Sequence, residues 1–227
     1  GARSYMDVEA IEHLGIRVHT IRGYGDTAVG EHTIALMWAA ARNIAFLDRS
    51  MRAGGWPRGN AMQLTGKTLG LFGFGGIASE VARIAVGSGM RVLAWNRTPR
   101  SYPGVEFVDV PTLLAESDVL SLHLLLTGET QHIIDASHIA AMKPGVILVN
   151  TARAGLIDTA AIVAALRDGH IRHAALDVFD TEPLPADNVL LTLPNVTLTS
   201  HDAFNTPEAA ETLVRKALDI AKRIAAG

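Results

Sequence analysis

A chain of 227 residues suffices for one large domain or two modest ones, and its 48% apolar and 19% charged content excludes disorder. A net charge of −3 offers nothing to a nucleic acid or an anionic membrane, and no apolar run approaches the roughly 18 residues of a membrane span. With no cysteine, disulfides and thiolate metal sites are excluded, which suits a cytoplasmic protein.

The chain opens "GARSYMDVEA", with neither an initiator methionine nor a signal-peptide pattern, as a processed or partial chain would. "MDVEAIEHLG" predicts a short helix ending at Gly15, and "IRVHTI" (16–21) a strand. Residues 27–54, "TAVGEHTIALMWAAARNIAFLDRSMRAG", predict one long or two consecutive helices, followed by the turn-rich arm "GGWPRGN". From Thr68 onward, short apolar runs at 68–73, 91–95, 118–124, 145–150, 172–177 and 195–199 read as strands buried on both faces. Between them, 76–87 puts Ile77, Val81, Ile84 and Ala85 on one helix face, and 158–168 runs from an Asp158 cap to Gly169. An amphipathic helix fills 207–226. This alternation predicts an α/β fold with a doubly wound parallel sheet, Rossmann-like, and helices on both faces.

"LGLFGFGGIASEVA" places Gly73-x-Gly75-x-x-Ala78 between a strand and a helix. Gly73 permits the tight turn, Gly75 lets the backbone approach a pyrophosphate, and the third position needs a small residue for packing. Backbone N–H groups around Gly76 and Ile77, at the helix start, would face the anion. About 20 residues on, an NAD enzyme would place a carboxylate on the ribose hydroxyls. Here "VLAWNRT" ends instead in Asn96, Arg97 and Thr98. A guanidinium pairs with a 2′-phosphate where a carboxylate would repel it, so NADP is the expected cofactor, with NAD as the alternative.

Three further features follow strand ends, where such sheets carry their active sites. Arg153 follows Asn150 and Thr151 in "ILVNTARAGLID"; "LDVFDTEPLPAD" is an acidic, proline-rich loop; "LTSHDAFN" presents His201. Arginine can grip a carboxylate bidentately and polarise the adjacent carbonyl, and histidine can pass a proton near neutral pH. A carboxylate beside the histidine would fix the ring, and Asp177, Asp180, Glu182 and Asp187 are all candidates.

These motifs together resemble the D-isomer-specific 2-hydroxyacid dehydrogenases over nearly the whole chain. The likeness rests on "GFGGIA", "SLHLLLTGET", "LVNTARAGLIDTAAIVAALRDGHI", "AALDVFDTEPLP" and "LPNVTLTSH" in that order. The resemblance implies hydride transfer between NADP(H) or NAD(H) and a small 2-hydroxy or 2-keto acid. By it, Arg153 binds substrate, Glu182 orients His201, and His201 donates the proton in reduction. It also implies cofactor contacts from Gly75 to Ile77, Leu124, Leu125, Thr151, Ala152, Arg153 and Asp177, with Ala203 beside the histidine. The family's NADP-using glyoxylate and hydroxypyruvate reductases carry a loop similar to "NRT". Ala78, Ala154, Leu125, Ser200 and Gly30 depart from the usual pattern without removing a catalytic side chain.

The resemblance further implies that most of a substrate-binding lobe precedes Gly1. Residues 22–204 would then form the dinucleotide-binding domain, and 1–21 and 205–227 remnants of the other lobe. The alternative function is a dinucleotide-binding module without turnover, as in related corepressors. No metal site is expected: His170 and His173 have a suitable spacing but flank a turn and a strand start. His123 reads as a core or near-cofactor residue, and His13, His19, His32, His132 and His138 as surface or helix positions. The family counterpart of "IALMWAAARNIAFL" packs between protomers, which implies a homodimer whose interface includes Trp38 and Trp56.

Overall fold

The computed structural model describes residues 6–98 and 100–226. Its strands are β1 (Thr68–Phe72), β2 (Arg91–Trp95), β3 (Val105–Phe107), β4 (Val119–Leu122), β5 (Val146–Asn150), β6 (Ile171–Leu176) and β7 (Val196–Leu198). They form one sheet in the order β3-β2-β1-β4-β5-β6-β7, every pairing parallel. The helices are α1 (Val8–His13), α2 (Asp26–Ala41), α3 (Ile44–Arg52), α4 (Gly76–Gly87), α5 (Val110–Glu116), α6 (Ala136–Ala141), α7 (Thr159–Asp168) and α8 (Pro207–Ala225).

The continuous apolar runs are explained by two cores, one on each face of the sheet. Alternate residues of β1 and β5 divide between them. Leu69, Leu71, Ile147 and Val149 join Leu36 and Met37 of α2 and Val81 of α4. Phe72, Val146 and Leu148 join Leu113 of α5, Ile139 of α6 and Ile162 of α7. Each fully buried leucine or isoleucine contributes roughly 1.5–3 kcal/mol relative to exposure. The buried stripe of α4 is Ala78, Val81, Ala82 and Ala85, so Ile77 and Ile84 flank the contact rather than centre it.

Carboxylate or hydroxyl caps start four of the helices around the sheet, while α2 and α4 begin after Gly25 and Gly75 without one. Asp109, Asp135, Asp158 and Thr206 each accept a backbone N–H of the first turn of α5, α6, α7 and α8. The apolar segment after Gly25 is two helices, broken at Asn43, whose φ of 54° ends the right-handed run.

Residues 16–21 form no strand. The sheet ends at β3 and β7, and this segment lies instead beside α8, where Lys216 Nζ donates to the carbonyl of Arg22. The apolar residues of α2 pack on the sheet. Leu36, Met37, Ala40 and Ala41 are internal, and Trp38 packs against the same core.

Candidate active site

The first part of the site is the turn from β1 into α4. Gly73 has φ of 96°, and a Cβ there would lie 2.7 Å from the carbonyl oxygen of His123, so only glycine fits. Its N–H donates to the carbonyl of Trp95, which holds the turn against the end of β2. Beside Gly75, by contrast, a Cβ would meet open space, and the start of the twelve-residue α4 faces outward. The Asp26 carboxylate stands against Gly76, so the fit to a dinucleotide's pyrophosphate rests on the exposed, open backbone of Gly75 at the start of the helix.

Asn96 holds this region in place: its Oδ1 accepts the Phe74 N–H at 3.1 Å and its Nδ2 donates to the Thr98 carbonyl at 2.7 Å. Its amide thereby ties the glycine turn to the end of β2. Arg97 is 86% exposed beside it, with Nη1 3.8 Å from Glu129 Oε2, too long for a hydrogen bond. Leu124 is half-buried and Leu125 80% exposed on the loop after β4.

The second part is built by the ends of β5, β6 and β7. Asn150 is buried; its Oδ1 accepts the Ala152 N–H and its Nδ2 donates to the Arg153 carbonyl. Thr151 is fixed through its hydroxyl, 2.8 Å from that of Thr33 on α2. Arg153 is thus delivered on a stapled loop, and its guanidinium donates to the Ala152 carbonyl at 2.6 Å.

The four candidate acids separate clearly. Asp177 is fully buried and accepts the Thr199 hydroxyl and the N–H groups of Asp202 and Ala203. Burial would raise its carboxyl, but the bonds from His32, Thr199 and these amides hold it below the usual range. Asp180 accepts the Thr159 hydroxyl, and Asp187 is exposed. Glu182 is the one beside the histidine: His201 Nδ1 lies 2.7 Å from its Oε2, and its Oε1 accepts the Phe179 N–H. Burial pushes Glu182 up, while the bonds from His201 and Phe179 outweigh it and keep the carboxyl below its ordinary value.

Arg153, Phe179, Asp180, Glu182 and His201 line one open cleft of about 360 Å³. An arginine and a carboxylate-bound imidazole lining one cleft can hold an organic acid and exchange a proton with it.

Two residues of this region went unrecognised in the sequence. His32, read as a surface or helix position, lies on α2 and places Nε2 3.0 Å from Thr199 Oγ1 and 3.5 Å from Asp177 Oδ1. Thr33 fixes Thr151 as described. A helical pattern does not tell which polar residue faces a strand end, so the sequence carries no signal for either. His123 Nε2 pairs with Ser121, and His173 Nε2 with Thr197; burial lowers each to about 4, so both are neutral at pH 7. Among the described residues, no three or more His, Asp or Glu side chains come together as a metal site.

Residues 34–203 match the sequence model of the D-isomer specific 2-hydroxyacid dehydrogenase, NAD binding domain. The chain belongs to this family. A hydroxypyruvate reductase of Thermotoga maritima is 43% identical over 90% of the chain and 68% of its own length. A glyoxylate reductase of Aeropyrum pernix is 41% identical over 97% of the chain and 69% of its own length. An acyclic imino acid reductase solved with NADPH and D-Arg superposes with a TM-score of 0.88 at 33% identity, covering 97% of the chain and 72% of that structure. The chain thus spans about two thirds of these relatives' lengths. As a member of the D-2-hydroxyacid dehydrogenases it is an NAD(P)-dependent oxidoreductase, moving a hydride between a nicotinamide dinucleotide and a hydroxy or keto acid. No helix among the described residues is long and apolar enough to cross a membrane.

Proposed function

We propose that this dehydrogenase reduces a small 2-keto acid to the D-2-hydroxy acid, drawing preferentially on NADPH, in the cytoplasm. The observation that carries the reading is the His201–Glu182 pair lining one cleft together with Arg153. The bound cofactor supplies the hydride. Arg153 grips the substrate carboxylate and polarises the adjacent carbonyl. Glu182, ionised, accepts from His201 Nδ1, which leaves Nε2 to deliver the proton to the carbonyl oxygen. Arg97, exposed at the end of β2, would receive a 2′-phosphate and supports the NADP preference. Thr151, Ala152, Leu124 and Leu125 would flank the nicotinamide half, and Gly73, Gly75, Gly76 and Ile77 the pyrophosphate. Asp177 and Ala203 would serve it from behind, by shaping the turn after β7.

Residues 22–204 are assigned to the cofactor domain, with 1–21 and 205–227 attached to a substrate lobe. We also assign α3 and the following arm to a homodimer contact. α3 buries no residue, and Ile44, Met51 and Trp56 are exposed. Trp38, half-buried against the core, contributes little to that contact.

The test is turnover. The enzyme, offered glyoxylate, hydroxypyruvate and pyruvate, should consume NADPH faster than NADH. His201→Ala should lower kcat by about 10²–10⁴-fold with cofactor affinity retained. A protein that binds NADPH yet reduces no member of a broad keto-acid panel would sink the reading.

A further inference from the structure

Adjacent residues of α2 touch both loops of the cleft. His32 bonds Thr199, and Thr33 bonds Thr151. Thr199 stands two residues before His201, and Thr151 two residues before Arg153. One turn of one helix is therefore joined to the supports of the imidazole and of the guanidinium.

The hydrogen bonds around Asp177 have fixed directions, because a carboxylate only accepts. Thr199 Oγ1, 2.6 Å from its Oδ1, gives its proton there. The Thr199 oxygen then accepts from His32, whose Nε2 must carry hydrogen. The same Asp177 accepts the N–H groups of Asp202 and Ala203, immediately after His201. The chain of bonds from His32 through Thr199 to Asp177 thus closes around His201. That residue sits at φ of 56°, a left-handed conformation that a histidine holds only where its surroundings fix it. Thr33 is less specific, because its hydroxyl also bonds the Val29 carbonyl within its own helix.

We infer that His32 is a positioning residue: its Nε2–H, acting through Thr199 and Asp177, fixes the turn that presents His201 to the cleft it shares with Arg153. This role rests on the assignment of His201 as proton donor, and it gives His32 no contact with substrate.

The test compares His32→Leu with His32→Gln, whose amide can reach the place of Nε2. The first readout needs no activity. In His32→Leu, amide exchange at Asp202 and Ala203 should quicken by roughly tenfold or more, and in His32→Gln it should stay near wild type. The second is the split between kinetic constants. In His32→Leu, kcat should fall by about 10–100-fold while KM for NADPH moves less than about two-fold, with His32→Gln restoring most of the rate. Should His32→Leu not fold, His32→Asn, whose amide falls short of Thr199, takes its place. The inference is overturned if the breaking variant leaves exchange and kcat near wild type. It is equally overturned if His32→Gln behaves like His32→Leu at an unchanged melting temperature. If exchange responds as expected but the wild type reduces no keto acid, the functional assignment falls and the role of His32 in holding the turn stands.

Discussion

The side-chain amide of Asn150 donates to the carbonyl oxygen of Arg153 across 2.9 Å, while its oxygen receives the N–H of Ala152. A buried asparagine at the end of β5 thereby dictates where the arginine emerges. Asn150→Asp keeps the shape but turns the donor into an acceptor facing a carbonyl. The expected loss is about 1–3 kcal/mol of stability, read from urea unfolding, together with a higher KM for the keto acid. Unchanged values for both would show that the loop holds itself.

On the proposed reading, Arg97 bears on cofactor choice alone. Arg97→Asp should weaken NADPH binding by about 10–100-fold, the worth of charge-assisted hydrogen bonds, while NADH binding holds or improves. Titration of each dinucleotide, followed by nicotinamide fluorescence, measures this. Equal losses for the two cofactors would place Arg97 elsewhere in recognition.

Two glycines of the same region should respond in opposite directions. Gly73→Ala forces a Cβ against the His123 carbonyl at a φ of 96°, so the melting temperature and dinucleotide affinity should both fall. Gly87, at the end of α4, has an ordinary φ, and a Cβ added there would meet nothing within 4 Å. Gly87→Ala should raise stability by about 0.5–1 kcal/mol through the unfolded chain.

His173 gives a pH prediction whose sign follows from its burial. The folded protein keeps it neutral down to about 4, whereas the unfolded chain protonates it near its ordinary 6.5. Between these values the unfolded state binds the extra proton. Its contribution is therefore intact above 6.5 and lost as pH falls toward 4, on the order of 3 kcal/mol in all. His173→Gln should flatten the dependence of unfolding free energy on pH across that window. A slope identical to wild type would locate the acid sensitivity in another group.

The central strands and the glycine turn were legible because burial on both faces leaves an unbroken apolar run, and Gly73 admits no substitute. β3 escaped notice because it is a three-residue edge strand with both faces partly open. α5 and α6 are only one or two turns long, although the Asp109 and Asp135 caps that start them were there to be read as signals. The strand expected at 16–21 had a plausible pattern but pairs with neither edge strand of the sheet. In the site, Arg153 and His201 could be named from the motifs that follow strand ends, and Glu182 only through the family resemblance. Residue types alone left four acids open beside His201, and only the distance to Glu182 separates them. His32 lay beyond reach, since its partners Thr199 and Asp177 are remote in sequence.

The strand order has one further consequence. The chain builds outward from β1 to β3 and then returns to β4 on the other side, so residues 68–107 form one flank of the sheet and 119–198 the other. On the proposed reading, the first flank selects the reductant and the second handles the proton. A lineage could thus move such an enzyme from a biosynthetic to a catabolic pool of electrons by altering a single hairpin-sized stretch around Arg97. The acid–base apparatus, coded some fifty or more residues downstream, would pass through the change untouched.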